Sequence, residues 1–366
     1  MQAIHDLLQA QLGKTYTAVS VEIRQHSATL FRAAYGTLDP EGKADGPAVR
    51  TDSMFDLASL TKLFTTTAFF RIVDTGRINL NTMVGSILPA FNGARPIRPH
   101  PNPLNIEELI HVVPPTAETV DAGAVTFEHL LTHSSGLPAW LNLREKESEA
   151  ERIAMCLTTP FSYQTGTRVV YSDIGYILLG KAIEQLTDRP LDSAMKMLVT
   201  GPLDVSVRYA KEPLGNAAPT EFCQWRQRRL VGEVHDENAA TLHGVSGHAG
   251  LFGTATDIAT LGQVYLDGGG GFVSPRLAAN ATRRHIGDRG LGWMMYSPDG
   301  PGGNYMSETS YGHTGFVGTS LWIDPTRELL CAALTNAVFY GRARERLDAF
   351  RRTFHDTVIE TLEGAK

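Results

Sequence analysis

Apolar residues alternate with polar ones, or form short apolar runs, in segments near both ends of the chain. Residues 18–24 and 28–34 show this pattern and are separated by a polar pair. It returns in residues 290–296, 318–323 and 328–334. A period of two over the length of a strand is typical of half-buried β-strands. We therefore predict one antiparallel sheet to which both ends of the chain contribute.

The middle of the chain, residues 56–265, shows mainly helical spacing of its apolar residues. One dense apolar run follows Ser59 and ends at Thr75 and Gly76, a sequence typical of a helix C-terminus. Residues 343–362 also repeat apolar positions at helical spacing. The pattern predicts a largely helical middle and a helix at the end of the chain.

These elements predict an α/β (α+β) fold in a single domain that covers all 366 residues. We expect a sheet subdomain at about residues 1–55 and 285–366, with a mostly helical subdomain at about residues 56–284 inserted into it. Residues 93–125 carry six prolines, which exclude a continuous helix. We predict an extended loop there, with one short helix near residues 106–112. This insertion is either a lid or interface, or an inert part of the surface.

The composition narrows the class of protein. Hydrophobic residues make up 42% of the chain and charged residues 20%, as in globular proteins with a large core. The net charge of −6 and the pI near 6.1 argue against a nucleic-acid partner or an anionic membrane. No run of 18 apolar residues occurs, and the first residues lack the features of a signal peptide. We therefore expect a cytoplasmic protein without a membrane partner.

Neither the cysteines nor the histidines indicate a metal site. Cys156, Cys223 and Cys331 are scattered and form no C-x-x-C pair, so they predict buried free thiols. Histidines and acidic residues cluster at residues 235–248, and such side chains suit zinc, but H-E-x-x-H spacing is absent. We predict no metal and no cofactor, and keep this cluster as a minor alternative.

Ser59 and Lys62 form an S-x-x-K sequence at the start of the apolar helix. Residues three apart share a helix face, with Cβ atoms about 5–6 Å apart. The first N–H groups of a helix lack intrahelical acceptors and its dipole favours negative charge, so a serine there is suited to be a nucleophile. A second copy, Ser193 to Lys196, lies in a short amphipathic segment, and we interpret it as solvated surface.

Two further motifs complete the components of an acyl-transfer site. Residues 171–173 (Tyr-Ser-Asp) offer a hydroxyl that can carry a proton, and residues 313–315 (His-Thr-Gly) lie where a strand meets a turn. A glycine at that point lets a substrate lie close to the backbone. The following N–H group, that of Phe316, would then join the N–H group of Ser59 in an oxyanion hole.

These motifs resemble those of the penicillin-recognising serine hydrolases: class C β-lactamases, low-molecular-weight DD-peptidases, D-aminopeptidases and related esterases. Residues 125–138 are similar to the "LLTHTSGL" segment of class C-like members, and residues 166–180 to the family's loop and helix around the tyrosine. Residues 232–239 and 247–253 resemble a subgroup of cell-wall-related members. The resemblance covers about residues 15–340. It implies a β-lactamase/transpeptidase-like fold, with the site in the cleft between an antiparallel sheet and a helical subdomain.

The resemblance implies a role for each motif residue. Ser59 is the expected nucleophile, with Lys62 and Tyr171 as its catalytic partners and either of the two as the general base. The expected substrate-binding residues are Asp173, His313, Thr314, Gly315 and Phe316.

Two of these positions differ from the commoner pattern. Asp173 stands where many relatives carry asparagine. Near Lys62 it would raise the pKa of the lysine, which leaves Tyr171 the better base, and it would repel a substrate carbonyl. His313 stands in the position of a lysine, which weakens the fixed positive charge at neutral pH unless the imidazole is protonated to hold a substrate carboxylate.

The sequence therefore predicts a serine hydrolase that forms an acyl-enzyme at Ser59 and hydrolyses an amide, β-lactam or ester bond, as β-lactamases and D-Ala-D-Ala carboxypeptidases do. A carboxylesterase or a D-aminopeptidase of the same fold is the alternative. A non-catalytic penicillin-binding scaffold and a metal-assisted hydrolase using residues 235–248 are less favoured. The expected partner is a small-molecule or short-peptide substrate, with no nucleic acid and no membrane. The natural substrate and the oligomeric state are left open.

Overall fold

The computed structural model describes residues 1–42 and 46–364. Numbered along the chain, its strands are β1 (Ala18–Gln25), β2 (Ala28–Gly36), β3 (Phe55–Asp56), β4 (Ala94–Pro96), β5 (His100–Asn102), β6 (Asn105–Ile110), β7 (Thr119–Asp121), β8 (Arg208–Tyr209), β9 (Pro219–Cys223), β10 (Arg228–Val231), β11 (Leu251–Gly253), β12 (Met294–Met295), β13 (Tyr311–Thr314), β14 (Ser320–Asp324) and β15 (Leu329–Thr335). Its helices are α1 (Gln2–Ala10), α2 (Thr61–Val73), α3 (Val84–Ile87), α4 (Phe127–Leu131), α5 (Glu149–Thr158), α6 (Asp173–Thr187), α7 (Leu191–Met195), α8 (Glu237–Thr241), α9 (Ala255–Leu266), α10 (Pro275–Ala281) and α11 (Glu345–Glu363).

Both ends of the chain build one six-stranded antiparallel sheet, in the order β12-β13-β14-β15-β1-β2. Val19, Val21 and Ile23 of β1 belong to the buried cluster that includes residues of α1 and α11. Their period of two places them on one face of the sheet. The α/β fold class and the antiparallel sheet built from both termini are therefore confirmed.

Helix α9 covers the sheet from the helical part of the chain. It packs against β1, β14 and β15, and a Cβ atom on its Gly262 would meet Leu321 at 3.1 Å. A larger residue there would require Leu321 to shift by a few tenths of an ångström, so glycine suits the close approach of the helix to β14. This helix falls inside the predicted helical subdomain of residues 56–284, yet it forms a layer on the sheet.

Helix α2 is buried on nearly all sides. Phe64, Phe69 and Phe70 are fully buried, and α2 packs against α6 and α7. A helix that is apolar around most of its circumference belongs in a core. The spacing did not reveal a small sheet in the order β3-β11-β8, whose strand β3 leads into α2. Its strands have two or three residues, too few for a period to be recognised.

The short helix predicted near residues 106–112 is wrong. Strand β6 pairs there with β5, and Asn102 accepts from the Leu104 N–H group at 2.9 Å to close the turn. Leu104, Ile106 and Leu109 are exposed, so no buried surface rewards a helix with its apolar residues on one face. The proline-rich insertion is a set of short paired strands.

The remaining predictions from composition concern thiols and membranes. Cys156, Cys223 and Cys331 are all buried free cysteines, as predicted. Among the residues that the structure describes, none of the helices combines the length and the hydropathy that crossing a bilayer requires. The compartment stays a prediction.

Candidate active site

Ser59 lies in a 3₁₀ turn, Ala58–Leu60, between β3 and α2. Ala58 has a φ of +46°, a left-handed conformation that costs a non-glycine residue roughly 1–2 kcal/mol. Its N–H group donates to Asp56 Oδ1 at 2.8 Å, and Asp56 Oδ2 accepts from the His235 N–H group at 2.7 Å. The buried carboxylate of Asp56 therefore stabilises the strained turn that presents Ser59.

Lys62 contacts two other predicted site residues at once. Its Nζ atom donates to Ser59 Oγ at 2.9 Å and to the carbonyl oxygen of His248 at 3.0 Å. The same atom lies 2.7 Å from Asp173 Oδ1, and the lysine side chain is fully buried. The ammonium group is thus placed between the hydroxyl of Ser59 and the carboxylate of Asp173.

The electrostatics of the site keep Lys62 charged. Burial by itself lowers the pKa of a lysine, but Asp173 and Tyr171 outweigh it, so the pKa of Lys62 is raised above its ordinary value. The pKa of Tyr171 is raised too, chiefly because the phenol is buried, while Lys62 and Ser59 act in the opposite direction. Both candidates for the general base therefore hold their protons at neutral pH.

The loop at residues 246–251 holds the first turns of α2. The Gly247 carbonyl oxygen accepts from Thr65 Oγ1 at 2.8 Å, next to the carbonyl that binds Lys62. A Cβ atom on Gly247 would lie 2.1 Å from the carbonyl oxygen of Tyr176. Only glycine fits this close approach, which explains one glycine of the segment that resembles cell-wall-related members.

The side chain of His248 is fixed at both ring nitrogens. Nδ1 lies 2.8 Å from Ser246 Oγ, and Nε2 lies 2.8 Å from Asp236 Oδ1. Burial opposes ionisation of Asp236, yet His248 outweighs it, and the pKa of Asp236 is lowered below its ordinary value. The pair anchors the loop whose backbone orients Lys62.

One group of side chains in the described ranges has the spacing of metal ligands: Asp173, Asp236 and His248, with ligand atoms within 4.8 Å of one another. The Lys62 ammonium already lies 2.7 Å from Asp173, and a divalent cation would face that positive charge. His243, from the predicted cluster at residues 235–248, is exposed. In this geometry the Lys62 ammonium group provides the positive charge beside Asp173 that a metal ion would otherwise provide.

Tyr171 enters the site from the segment that precedes α6. Ser172 caps that helix by accepting from the Gly175 N–H group at 3.2 Å, and its own N–H group donates to His133 Nδ1 at 3.0 Å. The tyrosine ring centroid lies 4.8 Å from Lys62 Nζ and 4.5 Å from the His133 ring. Helix capping and the His133 contact therefore position the phenol beside Lys62.

His133 is a positioning residue that the sequence did not single out within residues 125–138. It is buried, with a φ of +55°. Burial, followed by the charges of Arg289 and Lys62, lowers the pKa of His133 well below its ordinary value. The neutral imidazole can therefore accept the N–H group that precedes α6. The one sequence feature that could have identified His133 is its position within residues 125–138, the segment that resembles class C-like members.

The end of β13 packs against the turn that carries Ser59. The Gly315 N–H group donates to the Thr319 carbonyl at 2.7 Å, and Thr319 Oγ1 donates to the Leu57 carbonyl at 3.1 Å. A Cβ atom on Gly315 would lie 2.7 Å from the Leu57 oxygen. The glycine is therefore required by the close packing of these two segments, in addition to any role in substrate access.

Two backbone donors at this junction are free. Within residues 1–42 and 46–364, neither the Ser59 N–H group nor the Phe316 N–H group has a protein acceptor. Thr314, two residues before Phe316, is half-buried. The Phe316 ring stacks on that of His235, with centroids 5.7 Å apart. Free N–H groups at a helix start and at a strand end are suited to bind an oxyanion.

His313 lies on β13 and is 2% exposed, with its ring 6.0 Å from that of Tyr171. Its Nδ1 atom lies 2.9 Å from the Thr314 carbonyl oxygen, so Nδ1 carries the hydrogen. Burial, followed by the charges of Lys62 and Arg289, lowers the pKa of His313 to about 3. His313 is therefore neutral near pH 7, and protonating it to hold a carboxylate is unfavourable.

We expect no limb from His313 in the pH profile of kcat/KM between about pH 5 and pH 9, because its protonation requires a lower pH. His313→Gln should keep the shape of the profile even where it lowers the rate. The measurement is kcat/KM for one neutral ester across that range in both proteins. A limb near pH 6.5 that the substitution removes would contradict the neutral state.

The proline-rich insertion lies against the segment that leads to Tyr171. Arg98 donates its N–H group to the Phe161 carbonyl at 2.7 Å, and the Arg168 guanidinium donates to the Val112 carbonyl at 3.1 Å. The insertion thus supports residues 161–168 next to the site. Whether it also acts as a lid or an interface stays a prediction.

The site also contains residues to which the sequence gave no role in the serine mechanism: Asp56, His133, Asp236, His248 and Arg289. Asp236 and His248 belong to the cluster at residues 235–248, which was considered only for the metal-assisted alternative. Asp56 accepts from the His235 N–H group, and the His248 carbonyl oxygen accepts from Lys62; both pairs are far apart in sequence, so no spacing rule connects them.

A family model described as "Beta-lactamase" matches residues 5–354 of the chain. A protein of Bacillus subtilis (strain 168) named "N-acetylmuramyl-L-alanine amidase" is 32% identical over 387 residues, covering 92% of this chain and 80% of the relative. A protein of Salmonella typhimurium named "Putative D-alanyl-D-alanine carboxypeptidase" is 29% identical over 381 residues, covering 92% and 83% respectively.

Solved structures share the fold. EstCE1, described as a hydrolase with promiscuous acyltransferase activity, superposes with a TM-score of 0.74 at 18% identity, over 98% of this chain and 97% of that one. An octameric penicillin-binding protein homologue from Pyrococcus abyssi gives a TM-score of 0.72 at 19% identity, over 99% of this chain and 77% of that one. At such identities the likeness concerns the architecture.

Proposed function

We propose that this chain, which belongs to the beta-lactamase family and is a serine hydrolase, cleaves an amide bond of a small peptide-like substrate through an acyl-enzyme on Ser59. The observation that carries the proposal is the position of the Lys62 ammonium, 2.9 Å from Ser59 Oγ and 2.7 Å from Asp173 Oδ1. Lys62 Nζ contacts both groups, and Asp173 Oδ1 has no hydrogen-bond partner among the described residues, so aligning one Nζ–H group with that oxygen completes a path for the serine proton.

Acylation begins with the transfer of the Ser59 proton to the Lys62–Asp173 pair. Because Lys62 is already protonated, it passes one Nζ proton to Asp173 as it takes the proton from Ser59 Oγ. The new bond joins Oγ to the carbonyl carbon, and the π electrons move onto the carbonyl oxygen. The N–H groups of Ser59 and Phe316 are the proposed donors to that oxyanion. In this mechanism Asp173 is the final proton acceptor, a role beyond the substrate contact expected from the sequence.

Tyr171 supplies the proton that the leaving group needs. Its phenol is protonated at rest, which suits a general acid better than a base. As the C–N bond breaks, the electron pair stays on nitrogen and the phenol proton moves to it. The Lys62–Asp173 pair, which holds the serine proton, then reprotonates Tyr171. Water attacks the acyl-enzyme by the reverse sequence and returns a proton to Ser59.

The names of the relatives support an amide bond as the target. An N-acetylmuramyl-L-alanine amidase and a D-alanyl-D-alanine carboxypeptidase are both named for the cleavage of a bond to an amino-acid nitrogen. An amine is a poor leaving group unless it is protonated, and a protonated Tyr171 meets that need. Ester or D-aminopeptidase chemistry would use the same residues and differ in the leaving group.

Mass spectrometry of the intact protein tests the proposal. The protein is incubated separately with N-acetylmuramyl-L-alanine, N-acetyl-D-alanyl-D-alanine, benzylpenicillin and p-nitrophenyl acetate. We expect an acyl adduct on the peptide that contains Ser59, and release of the amino acid from at least one of the two amides. Turnover of the ester alone would favour the carboxylesterase. A stable penicillin adduct without any turnover would favour the binding scaffold.

Dialysis against EDTA is the control for the metal-assisted alternative. Because the proposed proton path needs only side chains, turnover should survive removal of metal ions. A loss of activity that zinc restores would transfer the chemistry to Asp173, Asp236 and His248.

A further inference from the structure

Arg351 of α11 is a fully buried cation that contacts the turn between β13 and β14. It is 1% exposed, and its Nη2 atom donates to the Gly315 carbonyl at 2.7 Å and to the Thr319 carbonyl at 3.0 Å. Its acidic neighbour Asp348 is half exposed and lies 3.4 Å from Nη1. Burial of a guanidinium is costly unless hydrogen bonds compensate it, and here the two shortest bonds are made to the two ends of a single turn.

The Gly315 carbonyl and the Phe316 N–H group belong to one peptide group. In a planar trans peptide the C=O and N–H bonds point in opposite directions, so a contact that fixes the oxygen also fixes the direction of the N–H bond. The Gly318 N–H group donates to the same oxygen at 3.2 Å, which is a longer bond from an uncharged donor. The Arg351 guanidinium therefore makes the shorter, charge-assisted contact with the peptide that carries a proposed oxyanion donor.

We infer that Arg351 is a positioning residue of the oxyanion hole, which holds the Gly315–Phe316 peptide so that its N–H group points at the carbonyl oxygen of the acyl group. The inference rests on the proposed function, in which that oxygen takes up negative charge during acylation. A charged donor on the peptide oxygen also polarises the amide and makes its N–H group a stronger donor. Arg351 acts through this peptide and needs no contact with the substrate.

The contacts of Thr319 connect Arg351 with the turn that carries the nucleophile. The Thr319 carbonyl accepts from the Gly315 N–H group at 2.7 Å and from Arg351. Its Oγ1 atom donates to the carbonyl of Leu57, two residues before Ser59, at 3.1 Å. The turns that carry the two proposed oxyanion donors are thus joined through Thr319. Because oxyanion stabilisation requires donors that are held in place beforehand, a shift of either turn weakens it.

Arg352, the next residue of α11, provides a matched control. Its Nη1 atom also donates to two backbone carbonyls, those of Pro298 at 3.0 Å and Gly300 at 2.8 Å, and its Nη2 atom donates to Asn304. These residues lie outside the turn between β13 and β14. Loss of this guanidinium should therefore remove a similar number of hydrogen bonds without disturbing the Phe316 peptide.

The test compares Arg351→Met, Arg351→Gln and Arg351→Lys with Arg352→Gln. A sample of every protein is titrated with a phosphonate that labels Ser59, so that each rate is expressed per labelled site. We expect both neutral variants of Arg351 to lower kcat/KM for p-nitrophenyl acetate by about 10- to 100-fold, less than the loss of an entire oxyanion donor. The dissociation constant of phenylboronic acid, whose adduct places a charged tetrahedral group in the same hole, should rise by a similar factor. Arg351→Lys, which keeps the charge, should be intermediate, and Arg352→Gln should keep both original values.

A merely structural role of Arg351 gives a different result. It would lower the melting temperature and the fraction of labelled sites but leave both constants per labelled site unchanged, and that outcome would overturn the inference, as would an equal loss in Arg352→Gln. If neither neutral variant folds, Arg351→Lys decides, because its shorter side chain lacks the planar set of donors that holds both carbonyls. Unchanged constants in that variant would also overturn the inference. A Ser59 adduct on the unmodified protein distinguishes these failures from a failure of the proposed function.

Discussion

Replacing Ser59 with alanine should abolish covalent labelling by a fluorescent phosphonate and reduce turnover by roughly 10³- to 10⁶-fold. The reason is that Ser59 Oγ is the atom that forms the acyl bond, and its contact with Lys62 Nζ at 2.9 Å is the entry to the proton path. The measurements are gel fluorescence after labelling and kcat/KM for p-nitrophenyl acetate. Binding and the oxyanion donors leave only a small residual rate.

Ser193→Ala is the matched control. Ser193 also precedes a lysine by three residues, but both Ser193 and Lys196 are exposed, whereas Lys62 is fully buried. Labelling and turnover should be unchanged in this variant. Labelling that survives Ser59→Ala, or that disappears in Ser193→Ala, would transfer the nucleophile to another residue.

The candidate site could be predicted to the extent that its contacts are local in sequence. Ser59 and Lys62 are three residues apart, so helical geometry alone brings them together. The sheet was predictable for a related reason, because alternation or a short apolar run is visible within single segments of sequence. In both cases a short stretch of sequence contains the whole physical argument.

The remaining part of the site depends on contacts between distant segments. His248 binds Lys62 through its backbone carbonyl oxygen, and no property of the histidine side chain predicts that contact. Arg289 belongs to no motif, and only the fold brings its guanidinium to 5.4 Å from the centroid of the Tyr171 ring. The prediction of a helix near residues 106–112 failed for the opposite reason. Helical spacing of apolar residues was visible there, but no buried surface stabilises a helix.

Lys62 contacts both residues that the sequence predicted for the site and a residue that it did not. Burial alone would lower the pKa of Lys62, and Asp173, followed by Tyr171, raises the pKa above its ordinary value. The sequence anticipated that Asp173 raises the pKa of Lys62, and the structure adds that the two groups are in direct contact, 2.7 Å apart. A lysine that stays protonated is a base only if it can hand a proton onward, and Asp173 is the group in position to take it.

Asp173→Asn should therefore lower kcat/KM at neutral pH by roughly 10²- to 10⁴-fold, the usual range for loss of general acid–base catalysis. An amide cannot accept the proton that Lys62 passes on. The charge of Lys62 contributes to the lowered pKa of Asp236, so the Asp236 carboxylate still favours the ammonium form of Lys62 in the variant. The loss should affect p-nitrophenyl acetate and the amide substrates alike, since the missing step precedes the choice of leaving group.

The pH profile of the variant distinguishes this role from the simple repulsion of a substrate carbonyl. In Asp173→Asn the activity should rise with pH as Lys62 loses its proton, by about tenfold per unit when one deprotonation limits the rate. Asp173→Glu keeps a carboxylate and should recover part of the activity without that rise. If repulsion dominates instead, Asp173→Asn should hydrolyse an acylamido cephalosporin faster and leave the ester unchanged. That result would remove Asp173 from the proton path and return the role of base to Tyr171, whose ring lies 4.8 Å from the same ammonium.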